Sequence, residues 1–398
     1  MSYTYSLPTT GTLSFVDVLE DVGPYSSEIS DTTAQRGRVR TVLKSLKKEA
    51  ADARDYRNIM NTLEEYLPYL VSVINCLGTG ALCLKKDLET SWRSTLSDHI
   101  IHTGSNAPRI VGSDIHYELI FVLMTYAYSC SNQSQDILRM VVPENAATVY
   151  NKAADALNTA ASIFHYVAYE VIPKWPNASE PRPVETMKDL PVALSKQWGR
   201  GRMALADAQA IAINKALLSG NISKALVAKL YIGVAGQYEM AHGLISSISG
   251  AQEVSSDLKK YLFDGVQFYK AMAKKYLALD ANDNQKLGEA VGFLRECKTD
   301  LRAIQHGSLS KVRKSAVASR AVKEEETVSE LLQKFSMLND TVGYQPVPSR
   351  QDLQRMIPSG RGVLEMKRFQ LPLPCFGPTN HNVADSDSPS YARSGAYY

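Results

Sequence analysis

Long apolar runs are scarce in this sequence. The longest, such as LIFVLMTYAY at residues 119–128, are shorter than the ~20 residues that a helix needs to cross a bilayer. The opening MSYTYSLPTT has no basic segment followed by an apolar one, and Ser2 stands where myristoylation needs glycine. We therefore expect no membrane span, and we expect any membrane association to be peripheral or carried by a partner.

Cysteine is also scarce. The five cysteines are odd in number and scattered along 398 residues. This pattern fits a reducing compartment better than a disulfide framework. The sequence therefore predicts a cytoplasmic protein.

Motifs of the common catalytic and metal sites are missing. The GTG at residues 78–80 lacks the Gly-Lys-Ser/Thr continuation of a phosphate loop, and no Gly-x-Ser-x-Gly elbow is present. Asp98, His99, His102 and His116 are of metal-ligand type, but no matched second pair follows them. We expect no enzyme activity, no metal and no cofactor.

One acid, Glu118, has apolar neighbours, in HYELIFVL. A buried carboxylate needs a partner, because an unpaired buried charge is costly. A structural ion pair, with an arginine such as Arg93, is favoured over a catalytic role.

Positive charge is concentrated locally. The net charge of +3 is too small to indicate nucleic-acid binding, but residues 36–57 hold eight basic and three acidic residues. A solvated helix face is the favoured interpretation, and contact with an anionic membrane is the alternative. The candidate membrane-facing residues are Arg36, Arg38, Arg40, Lys44, Lys47 and Lys48, and residues 311–323 form a second basic stretch.

Helical periodicity dominates after residue 30, with helices expected at 32–48, 57–75, 255–278 and 284–303. Leu82 and Leu84 alternate around Cys83, which indicates a small β element. Residues 344–361 are interrupted by prolines, so they should be extended and draped over a surface. Successive helices without a fixed period favour stacked helix pairs in a solenoid.

Residues 203–248 form two Ala-rich helical patterns joined at residues 219–221, and the second is apolar on two faces. One stripe is Ile222, Leu226, Leu230, Val234, Ala241 and Ile245, and the other is Val227, Tyr231, Ala235 and Tyr238. A surface helix needs only one stripe. The second stripe means that the helix is sandwiched between layers or that part of it lines a groove for another chain.

Several segments resemble the Bro-one domain family, the boomerang-shaped helical solenoid of Alix and its fungal relatives. They are SWRSTLSD around Trp92, HYELIFVLMTYAYS, AATVYNKAADALNTAASIFHYV, and MALADAQAIAINKAL followed by KALVAKL. The resemblance implies a mainly α solenoid with tetratricopeptide-like helix pairs and a small β element in the N-terminal third. It implies a Bro-one domain at residues 1–365 and a flexible Pro/Ser-rich tail at 366–398.

Other segments, among them SLPTTGTLSF, GEAVGFLRECKTDL and FQLPLP, resemble family members of the fungal ambient-pH (Pal/Rim) pathway. This resemblance implies an adaptor that binds the C-terminal amphipathic helix of a Snf7/Vps32-type ESCRT-III subunit in a concave groove. It also implies a link to a plasma-membrane pH-sensing complex of receptor and arrestin-like protein, with recruitment from the cytoplasm to the plasma membrane or endosome. The alternatives are a general endosomal Bro-domain protein and a membrane-surface scaffold acting through basic helices.

The resemblance also implies the groove residues. It places Leu226 and Leu230 on the contact positions, and Ala212 where Alix-like proteins carry an aromatic residue. Ile213 beside Ala212 is expected to compensate. Most of the second helix should therefore pack between layers, with a Leu226/Leu230 ridge open for a guest helix.

Overall fold

A computed structural model describes residues 2–20, 22–50, 53–98, 106–175, 182–197, 200–201, 203–248, 253–306, 316–362 and 368–378. Within these ranges the chain forms twelve α-helices and eight short strands. The helices are α1 (Phe15–Val18), α2 (Ser26–Lys48), α3 (Tyr56–Thr79), α4 (Ile115–Arg139), α5 (Ala146–Tyr166), α6 (Asp189–Leu194), α7 (Met203–Ser219), α8 (Lys224–Ser247), α9 (Ser256–Asp283), α10 (Leu287–His306), α11 (Ala316–Leu338) and α12 (Arg350–Met356). The strands are β1 (Leu19–Glu20), β2 (Cys83–Leu84), β3 (Thr90–Arg93), β4 (Ser97–Asp98), β5 (Arg109–Gly112), β6 (Lys196–Gln197), β7 (Arg200–Gly201) and β8 (Glu253–Val254).

The long helices pack in chain order. α2 contacts α3, α3 contacts α4 and α4 contacts α5, and the series continues through α7, α8, α9, α10 and α11. Each helix buries its apolar face mainly against its neighbours in sequence, which is the packing of a solenoid. The predicted mainly α solenoid is confirmed.

The strands form two-stranded antiparallel pairs, namely β1 with β2, β3 with β5, β4 with β8, and β6 with β7. The β element predicted around Cys83 is β2, whose Leu84 pairs with Leu19. The larger pair, β3 with β5, lies in the N-terminal third, as expected.

Local sequence signals explain several helix ends. α3 begins where the Asp55 carboxylate accepts a hydrogen bond from the Asn58 amide (3.0 Å), and it ends at Gly80, whose φ of 72° suits glycine. α3 also continues through Pro68. α9 extends to Asp283, beyond the end expected at residue 278, so Asp280 and Asn282 lie in its last turn.

Glu118 is fully buried, as predicted, but its partner is Arg36 and not Arg93. The Arg36 Nε donates to Glu118 at 2.5 Å, and both side chains are almost entirely buried. Thr90 (2.7 Å) and Trp92 (2.6 Å) also donate to this carboxylate. The prediction of a structural ion pair is confirmed. The pair links α2 to α4, and the hydrogen bonds from Thr90 and Trp92 connect β3 to the same carboxylate.

The C-terminal part of the described chain crosses the helices as an extended segment, as predicted for residues 344–361. It is interrupted by the short helix α12, which was not predicted. Residues 368–378 also contact the solenoid, with Phe369 against Tyr166 and Phe376 against Tyr25. The division into a domain at residues 1–365 and a flexible tail at 366–398 stays a prediction.

Candidate functional site

The candidate groove is built around the turn between α7 and α8. Gly220 at this turn has a φ of 68°, which glycine adopts without strain. The Ser223 hydroxyl then accepts a hydrogen bond from the Leu226 amide (3.2 Å) and starts α8. The two helices predicted at residues 203–248 are confirmed, with this turn between them.

Helix α8 is sandwiched, because it packs against α7, α6 and α9. Val227, Tyr231 and Tyr238 of one apolar stripe are buried, as are Val234 and Ile245 of the other. The interpretation of burial between layers is therefore correct for most of the helix. In the stripe from Ile222 to Ile245, only Ile222 and Leu226 are half-buried rather than buried.

The four predicted groove residues differ in exposure. Leu226 and Ala212 are half-buried, whereas Leu230 is 7% exposed and Ile213 is 1% exposed. The expected open Leu226/Leu230 ridge is therefore wrong at Leu230. Ile213 is a core residue and presents no surface that could compensate for Ala212.

Residues 357–362, named here the strap, cross α8 beside Leu230. The Arg361 amide donates to the Lys229 carbonyl (3.0 Å). The Gln209 side-chain amide donates to both the Leu230 carbonyl (3.2 Å) and the Arg361 carbonyl (3.0 Å). Because Gly233 has no side chain, the Arg361 carbonyl can lie directly against α8. The strap therefore bounds the candidate groove on the side of Leu230.

Sequence reasoning missed the apolar side chains at the end of α7. Leu218 is 60% exposed, and Leu217 and Ile222 are half-buried beside the core. Together with Leu226 they form what we call the α7–α8 ridge. The adjacent leucines of the KALLSG segment were the available signal, since one of two consecutive helical leucines must turn away from a narrow core-facing stripe.

A buried carboxylate, Asp207, lies on the core side of α7. It accepts hydrogen bonds from the Tyr238 and Tyr261 hydroxyls, and its second oxygen, Oδ2, has no hydrogen-bond partner in the described chain. Burial raises the pKa of Asp207 to about 6, and the tyrosine hydrogen bonds offset part of that rise. Its surroundings are those of a packed core.

Only part of the candidate metal-ligand set lies within the described residues. His116 contacts Asp114 (2.8 Å), while His99 and His102 lie outside the described residues. In the part of the chain that the structure covers, no group of three or more His, Cys, Asp or Glu side chains is arranged to hold a metal ion. Nor does any described helix combine the length and apolar character needed to span a membrane.

The predicted membrane-facing basic residues divide into three groups. Arg36 is buried against Glu118, so its assignment to a membrane-facing surface is wrong. Arg38 is exposed and pairs with Glu65 (2.6 Å). The other four, Arg40, Lys44, Lys47 and Lys48, are half-buried or exposed. Of the second basic stretch, residues 311–315 lie outside the described chain.

Known proteins resemble this chain along most of its length. The pH-response regulator protein palC of Cryptococcus neoformans is 26% identical over 100% of this chain and 99% of that protein. The palC protein of Yarrowia lipolytica is 24% identical over the full length of both chains.

Two solved structures share the fold. The ALIX BRO1 CHMP4C complex superposes with a TM-score of 0.68 at 16% identity, covering 95% of this chain and 98% of that one. A Bro1 domain studied for endosomal targeting superposes with a TM-score of 0.61 at 15% identity, covering 92% of each chain. Since a sequence model of the family described as BRO1-like domain also matches residues 23–363, the chain belongs to the BRO1-like domain family.

Proposed function

We propose that this protein is a non-catalytic adaptor of fungal ambient-pH signalling. The observation that carries the proposal is the similarity to palC pH-response regulators over the full length of the chain. A solenoid of packed helices presents extended surfaces to partners, which suits an adaptor.

The proposed partner is the C-terminal amphipathic helix of a Snf7/Vps32-type ESCRT-III subunit. Support comes from the ALIX BRO1 domain, which shares this fold and whose structure is a complex with CHMP4C, an ESCRT-III subunit. A guest helix of this kind binds through apolar side chains repeated at i, i+3 and i+4. The α7–α8 ridge offers it Leu218, Ile222 and Leu226.

The groove proposed here is displaced from the one expected from sequence. Leu230 is buried in the core, and the strap contacts the α8 backbone beside it, so the guest helix would lie toward the start of α8 and the end of α7. Burying Leu218 and Leu226 would contribute roughly 1.5–3 kcal/mol each before ordering costs, which suits a reversible contact.

The test is the affinity of a synthetic Snf7-type C-terminal helix for variants of the full chain, measured by fluorescence anisotropy. Leu226→Asp places a charge in the contact and should weaken binding tenfold or more, by roughly 1.4 kcal/mol at least. The circular dichroism spectrum should be unchanged, because Leu226 is half-buried.

Met337→Asp is the matched control, since Met337 is 62% exposed on α11 and lies outside the ridge. It should bind like the unaltered protein. Leu230→Asp is expected to lower stability as well as binding, because it buries a charge. Binding of Leu226→Asp at full strength would contradict the proposed groove.

The adaptor would link this ESCRT-III subunit to the plasma-membrane complex of pH-sensing receptor and arrestin-like protein. In fungal cells shifted to alkaline medium, fluorescently tagged protein should then gather at the plasma membrane or endosomes. Leu226→Asp should stay dispersed and Met337→Asp should be recruited. If both variants are recruited equally, the groove does not determine where the protein localises.

A further inference from the structure

Five basic side chains from two distant parts of the sequence converge on one surface. We name them the cationic cluster: Arg40, Lys44 and Lys47 of α2, Arg93 of β3 and Arg109 of β5. None belongs to the α7–α8 ridge, so the cluster is independent of the proposed groove.

Regular geometry produces the convergence. Arg40, Lys44 and Lys47 follow a spacing of i, i+4 and i+7, which places them along one side of α2. Arg93 and Arg109 are direct partners in the antiparallel register of β3 and β5. Like charges at such directly opposed positions destabilise a strand pair. The repulsion between Arg93 and Arg109 remains uncompensated unless an acid or a bound anion lies beside them.

Among the described residues, no carboxylate is paired with the cluster. In the described chain none of its five members forms an ion pair, although other basic residues do, such as Arg38 with Glu65. Asp17, Asp87 and Glu89 line a cleft of about 800 Å³ together with Arg36 and Arg40. These acids would repel an added anion near Arg40, so the anion would bind closer to Lys44 and Arg109.

The proton affinities agree with uncompensated positive charge. Partial burial, then the charges of Arg40, Arg109 and Lys48, lowers the pKa of Lys44. Partial burial, then Arg93 and Arg40, lowers the pKa of Arg109. An anion bound among these groups would raise both pKa values again, because its negative charge offsets the repulsion between the cations.

Part of the cluster is already oriented. The Arg93 Nε donates to the Thr9 hydroxyl (2.9 Å), and its Nη1 donates to the Ala107 carbonyl. The Nε of Arg40 is buried without a hydrogen-bond partner in the described chain. Guanidinium groups match phosphate oxygens in geometry, and lysines add point charges.

We propose that the cationic cluster binds a multiply phosphorylated anion of the inositol phosphate type, either free in solution or as the head group of a membrane lipid. Three to five cations within reach of one ligand suit clustered phosphates. The outward side chain of Val111, 59% exposed two residues beyond Arg109, would lie against a lipid surface in the membrane-bound case.

The test compares the unaltered chain with Lys44→Gln/Arg109→Gln. The probes are inositol trisphosphate by calorimetry, and sedimentation with phosphatidylcholine vesicles that contain phosphatidylinositol bisphosphate. Each cation near an anionic surface adds to the binding free energy, so losing two should weaken binding roughly tenfold or more. Binding should also weaken as salt is added. Binding of the soluble probe alone or of the vesicles alone would support the proposal and identify the source.

Lys152→Gln/Lys334→Gln is the control, because both lysines are exposed, on α5 and α11, lie outside both basic stretches, and together remove the same charge. It should bind both probes like the unaltered chain. Equal losses in the two double variants, no binding of either probe, or equally tight binding of a glutamate peptide matched in charge would each overturn the proposal. The Snf7-type helix should bind the Lys44/Arg109 variant normally, which separates this site from the groove.

Discussion

Two buried carboxylates are stabilised in different ways. Glu118 is paired with the Arg36 guanidinium and also accepts hydrogen bonds from Thr90 and Trp92. Asp207 has only tyrosine hydroxyls as hydrogen-bond donors, and its Oδ2 has no partner in the described chain. An unpaired buried charge is costly, so protonation of Asp207 should stabilise the fold.

We predict that this residue makes folding weaker as pH rises. The pKa of Asp207 is raised from 3.8 to about 6 in the folded chain, so between these values the folded state holds a proton that the unfolded state has lost. The free energy of unfolding should therefore fall by up to about 1.4 kcal/mol per pH unit in that window. Urea denaturation across the window measures it, and Asp207→Asn should flatten the slope.

Asp155→Asn is the control for this experiment, because Asp155 is exposed on α5. It should leave the pH dependence of unfolding as it is in the unaltered chain. A slope that is identical in the Asp207→Asn variant would show that Asp207 does not titrate in the window.

At the scale of elements, the contact between the strap and α8 depends on glycine. A Cβ at Gly233 would collide with the Arg361 carbonyl, and a Cβ at Gly360 would collide with the Gly233 backbone. The strap is further fixed by Gln209 and by the Lys229 carbonyl. A small residue here allows an irregular segment to satisfy its backbone hydrogen bonds against a helix.

We predict that Gly233→Ala displaces the strap. The collision involves backbone atoms, so relief requires the strap to move, at a cost of about 1–3 kcal/mol. Tryptic cleavage after Arg361 should become faster, as measured by limited proteolysis and mass spectrometry. Gly236→Ala on the same helix meets open space and should be neutral or stabilising by about 0.5–1 kcal/mol. Equal cleavage in both variants would contradict this account of the strap.

At the scale of the whole molecule, residues 368–378 act as a clasp between separate helices. Arg368 lies 3.6 Å from Glu170, just beyond α5, and the Phe376 amide donates to the Ser72 hydroxyl of α3 (3.1 Å). Gly377 lies over the thiol of Cys76, and burial raises the pKa of that thiol. The clasp therefore shields Cys76 from solvent.

We predict that Phe369→Ala/Phe376→Ala speeds the reaction of Cys76 with a maleimide, because both aromatic anchors of the clasp are removed. Labelling is followed residue by residue with mass spectrometry, using the exposed Cys83 as the internal reference. Leu373→Ala is the control, since Leu373 is 86% exposed. If Cys76 reacts at the same rate in every variant, the clasp does not protect it.

Local sequence patterns were enough to predict the order and type of the main elements. Helical periodicity, the turn at residues 219–221 and the alternation around Cys83 depend on neighbours within a few residues, and each was found where predicted. The burial of Glu118 was also predictable, because the residues that follow it in HYELIFVL are all apolar.

Which side chains remain exposed to solvent depends on the packing of distant segments, and local patterns did not predict it. Arg36 belongs to a basic run, yet it is buried because Glu118, far along the chain, lies beside it. Leu230 follows the spacing of a groove residue, yet it is buried in the core, where residues 357–362 contact the backbone of α8 beside it. The cationic cluster needs the strand register that brings Arg93 opposite Arg109. Periodicity determines which residues share one face of a helix or strand. Whether that face is exposed depends on distant segments that pack against it.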